Sequence, residues 1–271
     1  MPGSSKAVHP SGVEIEFFED THLYESIVDG HSLTYTSGTG VVGKYFPPFD
    51  PSGEITQRCA KREGISVDEL KARWKAKGEA SCKFGTRVHE CCEDTILKRT
   101  ALRNTPESDK EKIVFKHAVN IATKFRNQLD ILGVEKIVFS PELAIAGTVD
   151  LLAKSRKDGS IIIIDHKTNE DITSENKWGN FGLGPLQDVP DNNFYHYAIQ
   201  LNLYQYLLWR EGYVKRDSKF KRILNHLTVD GAKMIEIPDM QPEVREMVLD
   251  FELKRFKTSK MIKSYDVRKP L

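Results

Sequence analysis

The sequence lacks the features that mark membrane-spanning or secreted proteins. In its 271 residues no apolar run approaches the about 20 residues that a membrane-spanning helix needs. The N-terminal segment MPGSSKAV has neither the apolar core of a secretory signal nor the arginine-rich amphipathic pattern of a transit peptide. We therefore expect an intracellular, cytoplasmic protein with no membrane partner.

Cysteine is scarce, and its spacing does not match the common metal motifs. The four cysteines, Cys59, Cys82, Cys91 and Cys92, all lie in the first part of the chain, and none forms a CxxC pair. This pattern favours buried or inert thiols in a reducing compartment over a disulfide or a metal cluster.

A charge imbalance is also missing. Lys and Arg total 40 and Asp and Glu total 39, so the formal net charge is +1. Composition alone therefore does not indicate a nucleic-acid-binding protein, and any basic surface must come from local clustering. Internal repeats and domain linkers are absent as well, and the length is sufficient for one large domain with a buried core.

The pattern of apolar and polar residues predicts an α/β fold, with a central mixed sheet flanked by helices. Residues 1–12 are polar and are expected to be a disordered lead-in, followed by a single domain over residues 13–271. Within it we expect an N-terminal β-hairpin and helical extension (13–80), a core (81–240), and a C-terminal helix with a basic tail (241–271). The predicted elements are a hairpin within Val13–Tyr35 around Asp29-Gly30, a helix near Glu54, a helix capped by Ser66, a helix from Asp109 to about Leu132 ended by Gly133, a strand Val134–Phe139, a helix Phe194–Trp209, strands Ile223–Thr228 and Met234–Ile237, and a helix from Pro242 to Phe256.

The most informative stretch is a predicted β-hairpin from Gly147 to Thr168. Its two apolar segments flank a Lys-Asp-Gly-Ser turn, and a loop of residues 156–159 places Asp150 opposite Asp165. Two carboxylates about 5 Å apart repel unless a cation or a proton lies between them. The two-residue period of a strand puts Lys167 on the face of Asp165, with His166 pointing away. The hairpin therefore predicts a divalent-metal site beside a lysine.

Two helices carry further candidate residues. Gly85, His89 and Glu93 recur every four residues and share one helix face, as do Gln200 and Tyr204 in the later helix. A single histidine on a helix is more often a hydrogen-bonded core residue than a ligand. The segment SGTGVVGK, from Ser37 to Lys44, leaves open an unrelated phosphate-binding protein, although it lacks the full GxxxxGK[ST] pattern.

Taken together, these motifs resemble the PD-(D/E)XK nuclease superfamily. GxxxH at Gly85–His89, GTVD at Gly147–Asp150, DxKT at Asp165–Thr168 and QxxxY at Gln200–Tyr204 occur in the superfamily's order. The QxxxY motif resembles the RecB-like branch. The stretch PLQDVPDNNFYHYAIQLNLYQYLL, at 185–208, is similar to exonuclease-type proteins of tailed phages, large DNA viruses and mitochondria. If the source is viral, the expected location is the host-cell cytoplasm.

The resemblance implies a restriction-endonuclease-like core and a set of site residues. Asp150 and Asp165 are expected to bind Mg²⁺ or Mn²⁺ together with His89 and the backbone carbonyl of His166, and Lys167 to orient or help deprotonate the attacking water. A surface salt bridge is the alternative for Asp150, Asp165 and Lys167. Iron–sulfur clusters of some RecB-like nucleases use cysteines after the core, and no cysteine follows Cys92, so no cluster is expected.

Other residues are expected around this centre. Glu93 is predicted to orient the His89 ring or reach the metal through water. Glu142 either contributes through a water or a second metal, or is an exposed acid at a strand end. DNA contacts are expected from cations, an aromatic residue and the QxxxY pair, namely Lys83, Arg87, Trp178, Gln200 and Tyr204. Solvated helix faces and core packing of Tyr204 are the alternatives.

The expected function is a divalent-metal-dependent DNA exonuclease acting on single-stranded DNA or DNA ends in replication, recombination or repair. A flap endonuclease and a catalytically silent recombination scaffold are the alternatives. The expected partners are DNA and a recombination or replication protein.

Overall fold

The computed structural model describes residues 3–51 and 53–266, with side chains as far as residue 257. Nine strands form one mixed sheet, and helices pack against it, which confirms the predicted fold class. The strands are β1 (Ser4–Val8), β2 (Glu14–Phe18), β3 (Leu23–Val28), β4 (His31–Ser37), β5 (Leu129–Ser140), β6 (Ile145–Ser155), β7 (Ile161–Lys167), β8 (Phe220–Thr228) and β9 (Gly231–Glu236). The helices are α1 (Gly38–Gly43), α2 (Glu54–Glu63), α3 (Val67–Ile96), α4 (Asp109–Gln128), α5 (Asn193–Arg210) and α6 (Gln241–Asp266), with a 3-10 turn at Gly184–Leu186.

Strand β6 is the centre of the sheet. Strand β5 pairs with it antiparallel from Ile145 to Ser155, along its full length. The opposite edge of β6 is shared, because β4 pairs in parallel at Ile145 and Ala146 while β7 pairs antiparallel only from Leu151 to Lys154. Residues 147–150 of β6 therefore lie between two diverging strands, at an open edge of the sheet.

The hairpin formed by β6 and β7 has the predicted register. Leu151 pairs with Ile164 and Lys154 with Ile161, and the Ser155 amide donates to the Ser160 carbonyl at 2.8 Å across the turn. The four isoleucines of β7 alternate between two cores, as the two-residue period of a strand requires. Ile161 and Ile163 pack with α5 and α6, whereas Ile162 and Ile164 pack with α3 and α4. A slip of one residue would keep isoleucines in both cores but would move Asp165 and Lys167 from the face of Ile161 and Ile163 to the opposite face.

Helix α3 spans 30 residues and carries the predicted histidine face towards the sheet. The Ser66 hydroxyl caps it by accepting a hydrogen bond from the Glu69 amide at 3.1 Å. The second half of the helix is anchored by Val88, Cys91 and Cys92, which pack against α4. Both cysteines are buried free thiols, and burial raises the pKa of the Cys91 thiol to about 11. No helix in the described ranges is long and apolar enough to cross a membrane.

The segment 1–12 was expected to be disordered, but its described part, from residue 3, contributes an edge strand, while residues 1 and 2 lie outside the described residues. Strand β1 pairs antiparallel with β2, from Ser4 opposite Phe18 to Val8 opposite Glu14. Its neighbours β2, β3 and β4 continue as an antiparallel meander, in which the predicted turn at Asp29-Gly30 joins β3 to β4. The polar composition of β1 gave no signal, because the strand is stabilised by pairing with the edge of β2, the next strand in the chain, and not by a core of its own.

The boundary between α4 and β5 also differs from the prediction. The helix ends at Gln128 rather than near Leu132, and β5 begins at once with Leu129 opposite Ser155. Gly133 does not end the helix, but lies inside β5 just after a register shift that follows Ile131. Pairing with the second half of β6 therefore overrides the helical pattern of residues 129–132.

The glycine-containing segment SGTGVVGK folds as the short helix α1 and not as an open phosphate-binding loop. The Ser37 hydroxyl accepts a hydrogen bond from the Gly40 amide at 3.0 Å, and Val41 and Val42 are buried in the core shared with α5 and α6. The alternative of an unrelated phosphate-binding protein has no structural support in this segment. Helix α6 does not end at Phe256 as predicted but continues to Asp266, through the first part of the predicted basic tail, whose side chains beyond residue 257 lie outside the described part of the chain.

Candidate active site

The open edge of β6 brings the two aspartates of the hairpin together. Asp150 and Asp165 are the next residues of their strands beyond the Leu151–Ile164 pair, as the predicted register requires. Asp150 Oδ2 accepts a hydrogen bond from the backbone N–H of His166 at 2.7 Å. One carboxylate oxygen of Asp150 is therefore fixed against β7, at the point where the ladder between the two strands ends.

Helix α3 supplies His89 to the same point. His89 Nδ1 lies 3.3 Å from Asp150 Oδ2, and its ring meets the His166 ring edge to face with 5.5 Å between centroids. Gly85, one turn earlier, lies against the end of β7, where an added Cβ would just touch Thr168 Oγ1 at 3.4 Å. The GxxxH spacing thus places a small residue where the helix crosses the end of β7 and an imidazole where it reaches Asp150.

A third ligand-type residue, Glu135, was missed by the sequence analysis. In β5, Val134 pairs with Leu151 and Lys136 with Val149, so Glu135 stands opposite Asp150 with a backbone φ of 47°. One ligand atom from each of His89, Glu135 and Asp150 lies within 4.8 Å of the others. The available signal was a single acid in the predicted strand Val134–Phe139, but the register of that strand with β6 could not be read from the sequence.

The pKa of Glu135 reports the crowding of negative charge at this point. Loss of hydration among the surrounding protein atoms raises the pKa of Glu135 to about 9, and repulsion from Asp150 and Glu93 adds to this effect. Solvent still reaches the Glu135 side chain, so the stability change linked to this shift is smaller than for a fully buried acid. A carboxylate in such surroundings takes up either a proton or a cation.

Asp165 and Lys167 form a buried ion pair on the side of β7 that faces α5. Lys167 Nζ lies 2.5 Å from Asp165 Oδ2, and their side chains are 17% and 5% exposed. Burial, reinforced by Asp150 and opposed by Lys167, raises the pKa of Asp165. Burial also opposes the charge of Lys167, but Asp165 and Asp150 outweigh it and raise the pKa of Lys167. Lys167 is therefore a cation, held 4.6 Å from the centre of the Tyr197 ring.

The His166 side chain is fixed separately from its backbone. Asn225 Nδ2 donates to His166 Nδ1 at 2.9 Å, so the proton of the neutral ring is on Nε2. Burial, together with the nearby His89, lowers the pKa of His166 to about 3. A neutral imidazole anchored in this way holds the backbone of β7 in place beside Asp150.

The donor set fits a divalent cation of the Mg²⁺ or Mn²⁺ type. Two carboxylates and an imidazole within 4.8 Å of one another combine the oxygen ligands that suit Mg²⁺ with a nitrogen that suits Mn²⁺. Asp165 Oδ2 is buried and, apart from Lys167, has no hydrogen-bond partner among the described residues. Of the predicted ligands, His89 and Asp150 are thus brought together with Glu135, while Asp165 is paired with Lys167.

The two residues of the QxxxY motif are buried and bonded to each other. Gln200 Nε2 donates to the Tyr204 hydroxyl at 3.0 Å, and the side chains are 8% and 4% exposed. The Tyr204 ring packs against the backbone of Gly147, where an added Cβ would lie 2.4 Å from Cε1. Gly147 is therefore needed for close contact between β6 and α5, immediately beside the open edge.

Replacing Gly147 with alanine is expected to destabilise the protein by about 1–3 kcal/mol through overpacking. The new methyl group would collide with a ring that also packs against Gly38, where an added Cβ would lie 2.8 Å from the same carbon. Thermal unfolding should show a melting temperature lower by about 2–10 °C. Gly78→Ala is the matched control because no atom lies within 4 Å of its added Cβ. An unchanged melting temperature for Gly147→Ala would contradict this packing.

The remaining predicted residues lie around the site in different roles. Glu93 binds Arg99 and Arg103 and does not contact His89 directly. Glu142 is exposed and pairs with Arg210 at 2.6 Å. Trp178 is 85% exposed in the loop between β7 and α5.

Arg87 and Lys83 also have partners on the protein. The Arg87 guanidinium is buried against Glu107 and Glu111, so the structure corrects the expectation of a DNA contact there. Lys83 is exposed and lies 3.5 Å from Glu107. A screened surface pair of this kind still leaves Lys83 able to exchange partners.

A cleft of about 850 Å³ opens beside the ion pair. Its cations, Lys77, Lys110 and Lys167, come from α3, α4 and β7, and His89 and Thr168 also line it. Glu170 and Asp171 line the cleft too, and Lys77 pairs with Glu170 at 3.2 Å, so the cleft carries charges of both signs with three lysines against two acids. The excess of lysines favours an anionic ligand next to the metal-type donors.

Replacing Glu135 with glutamine is expected to change two properties in opposite directions. Removing one carboxylate should weaken Mn²⁺ binding by about 10- to 100-fold, as measured by calorimetry. The metal-free variant should nevertheless be more stable than wild type at pH 8. When folding raises the pKa of an acid, the folded state loses stability as pH rises. For Glu135 this loss grows between the pKa in the unfolded chain, near 4.5, and the pKa in the folded protein, near 9. Unfolding curves of the metal-free proteins at pH 5 and pH 8 test this, and a variant less stable than wild type at pH 8 would contradict it.

Comparisons with known proteins agree with the geometry. A family model described as the PD-(D/E)XK nuclease superfamily matches residues 65–259. None of the curated proteins matches the chain. A solved structure titled "Crystal structure of SSO0001" is 15% identical, covers 62% of this chain and 73% of its own, and has a TM-score of 0.27, too low to support an argument.

Proposed function

Because this chain belongs to the PD-(D/E)XK nuclease superfamily, whose members use divalent metals, we propose that it is a DNA exonuclease dependent on Mg²⁺ or Mn²⁺. The observation that carries the proposal is the meeting of three elements at the open edge of β6. Donors from α3, β5 and β6 lie within 4.8 Å of one another, and the Asp165–Lys167 pair lies at the end of β7. Phosphodiester hydrolysis needs both a metal centre and a fixed positive charge.

The proposed metal ligands are His89, Glu135 and Asp150. Asp165 and the backbone carbonyl of His166, which the sequence also predicted as ligands, are proposed to complete the set. When bound, the cation would act as a Lewis acid and would activate a water for attack on phosphorus. The chain's own residues hold and orient the reactants. Asp150 is fixed by the His166 N–H, and His89 by the helix that crosses β7.

Lys167 acts in this proposal as a fixed cation. Because Asp165 and Asp150 keep it protonated, it stabilises negative charge on the phosphate as the attacking oxygen adds. This favours its electrostatic role over the alternative in which it takes a proton from the water. The carboxylate of Asp165 holds the ammonium in place at 2.5 Å.

The substrate path is proposed to follow the lysine-containing cleft. Lys77 and Lys110 supply positive charge along it, and the exposed Trp178 and Lys83 remain candidate contacts for the strand. Tyr204, which packs against Gly147, is proposed to shape the floor beside the scissile phosphate together with Gln200. Replication, recombination or repair remains the expected setting, with a protein of one of those processes as a partner.

The test is digestion of end-labelled single- and double-stranded DNA in Mg²⁺ or Mn²⁺. Wild type should shorten labelled strands, and Asp165→Ala and Lys167→Ala should lose this activity. If both variants cut as well as wild type, the proposed site is wrong.

Closed circular single-stranded DNA tests dependence on a free end. An exonuclease should leave the circles intact while degrading the same molecules after linearisation. Rapid cutting of circles would instead support the flap or other endonuclease alternative. Metal-dependent binding with no cutting of any substrate would support the silent recombination scaffold.

A further inference from the structure

The meander of β1–β4 forms one wall of the site. This wall precedes the matched family region, which begins at residue 65. It is joined to the open edge of β6 by the pairing of Thr36 with Ile145 and by a 2.9 Å hydrogen bond between the Tyr24 hydroxyl and Thr148 Oγ1. Side chains that face the site from this wall therefore belong to the site although they lie outside the region that the family model matches.

Two ring side chains of the meander, Phe17 and His22, face the site. The Phe17 ring stacks on Tyr24 with 4.5 Å between centroids and an interplanar angle of 28°. The His22 ring lies 6.0 Å from Phe17, at the turn between β2 and β3. Tyr24 is in turn anchored to β6, so the Phe17 ring has a fixed position.

These rings lie where two clefts meet. His22, Thr86 and His89 line both the lysine-containing cleft and a second cleft of about 550 Å³. Phe17 and Glu135 line the second cleft. His22 is exposed and has a backbone φ of 51°, a left-handed conformation that few residues other than glycine adopt. Its side chain is thus presented at the mouth shared by the two clefts.

The two clefts differ in charge. The second cleft is lined by Glu19, Glu90, Glu93 and Glu135, and Arg103 is the one lysine or arginine among its described lining residues. A phosphate is repelled by such a surface, whereas a neutral nucleobase can stack on its rings. The lysine-containing cleft has three lysines against Glu170 and Asp171, so it suits the phosphates better than the second cleft does. A strand crossing from one cleft to the other would pass His89 and the carboxylate group.

We propose that Phe17 and His22 form a stacking site for one nucleobase of the strand being cut, adjacent to the phosphate that lies beside Lys167. The inference rests on the proposed function and deepens it. A base seated on these rings is unpaired, so the site selects a strand that is single-stranded at the point of cleavage.

Binding is the first test, because it does not depend on hydrolysis. Fluorescent oligonucleotides are compared by anisotropy in Ca²⁺, over a time in which the strand stays intact. One carries every base, and the others each carry a single abasic residue at a successive position. Wild type should bind the strand that lacks the stacked base about 10-fold more weakly. Equal binding of all strands overturns the base site alone, whereas no binding of any strand counts against the proposed function as well.

Variants then assign the effect to these residues. Phe17→Leu keeps an apolar side chain against Tyr24, and His22→Asn keeps a residue that tolerates the left-handed conformation. In the double variant the intact and abasic strands should bind within about 2-fold of each other, through loss of affinity for the intact strand alone. Phe18→Leu is the matched control, since Phe18 is the next residue of β2 and lines a cavity with Lys6 and Ile27 instead. A double variant that keeps the wild-type preference, or that weakens both strands equally, overturns the proposal.

Discussion

Replacing Asp150 with asparagine is expected to lower the rate of DNA cleavage by about 10³-fold, with little change in the fold. Asparagine has the same shape, and its carbonyl oxygen can still accept the His166 N–H that Asp150 accepts at 2.7 Å. What it removes is the negative charge between His89 and Glu135, which is the charge that a divalent cation needs. Single-turnover cleavage of an end-labelled strand at saturating Mn²⁺ gives the rate, and calorimetry gives the metal affinity.

The matched control for Asp150→Asn is Asp158→Asn, at the tip of the same hairpin. Asp158 binds Lys221 at 2.7 Å on the surface and is distant in register from the carboxylate group. Asp158→Asn should therefore leave the rate of DNA cleavage unchanged. If Asp150→Asn retains a rate within about 10-fold of wild type, the metal centre lies elsewhere, because removing a charged ligand costs more than that.

Replacing Lys167 with methionine is expected to lower the cleavage rate by about 10²- to 10³-fold while leaving metal binding intact. Methionine fills a similar volume but carries no charge to stabilise the phosphate. Normal cleavage together with impaired metal binding would contradict the electrostatic role of Lys167. Lys154→Met, an exposed position on β6 of the same hairpin, is the control.

The same variant should show a stability loss that depends on pH. Removing Lys167 leaves Asp165 buried without its partner at 2.5 Å, and breaking a buried ion pair costs about 3–5 kcal/mol. The pKa of Asp165 is already raised by burial, and losing Lys167 raises it further. An acid whose folded pKa is raised costs nothing below its unfolded pKa, and the cost grows as pH rises above that value. The melting temperature of Lys167→Met should therefore approach wild type near pH 4 and fall below it near pH 8, and added Mn²⁺ should reduce the difference.

Local signals in the sequence were sufficient for the central hairpin and for the start of α3. The hairpin register follows from a turn of four residues and a strict period of two, both of which are properties of adjacent residues. The Ser66 cap and the GxxxH face of α3 are local in the same sense. These features specify the relative positions of Asp150, Asp165 and Lys167 without reference to the rest of the chain.

Pairing between strands and contacts between helices decided what local patterns in the sequence could not. Glu135 stands opposite Asp150 only because β5 pairs with β6 over its full length, and the same pairing ends α4 at Gln128. Strand β1 exists because β2 offers it an edge. Arg87 looked like a DNA contact by composition, but Glu107 and Glu111 bury its charge.

By itself, then, the sequence determined the chemistry of the hairpin and of the helix that crosses it, since turn geometry and residue periodicity act over a few neighbours. The tertiary structure decided which carboxylates share the centre, which cations face the cleft, and that Phe17 and His22 of the meander reach the site. Those outcomes depend on contacts between separate segments of the chain, from the pairing of the consecutive strands β5 and β6 to the hydrogen bond between Tyr24 and Thr148, 124 residues away. Contacts of that range are set by how all the layers pack together, and no local pattern encodes them.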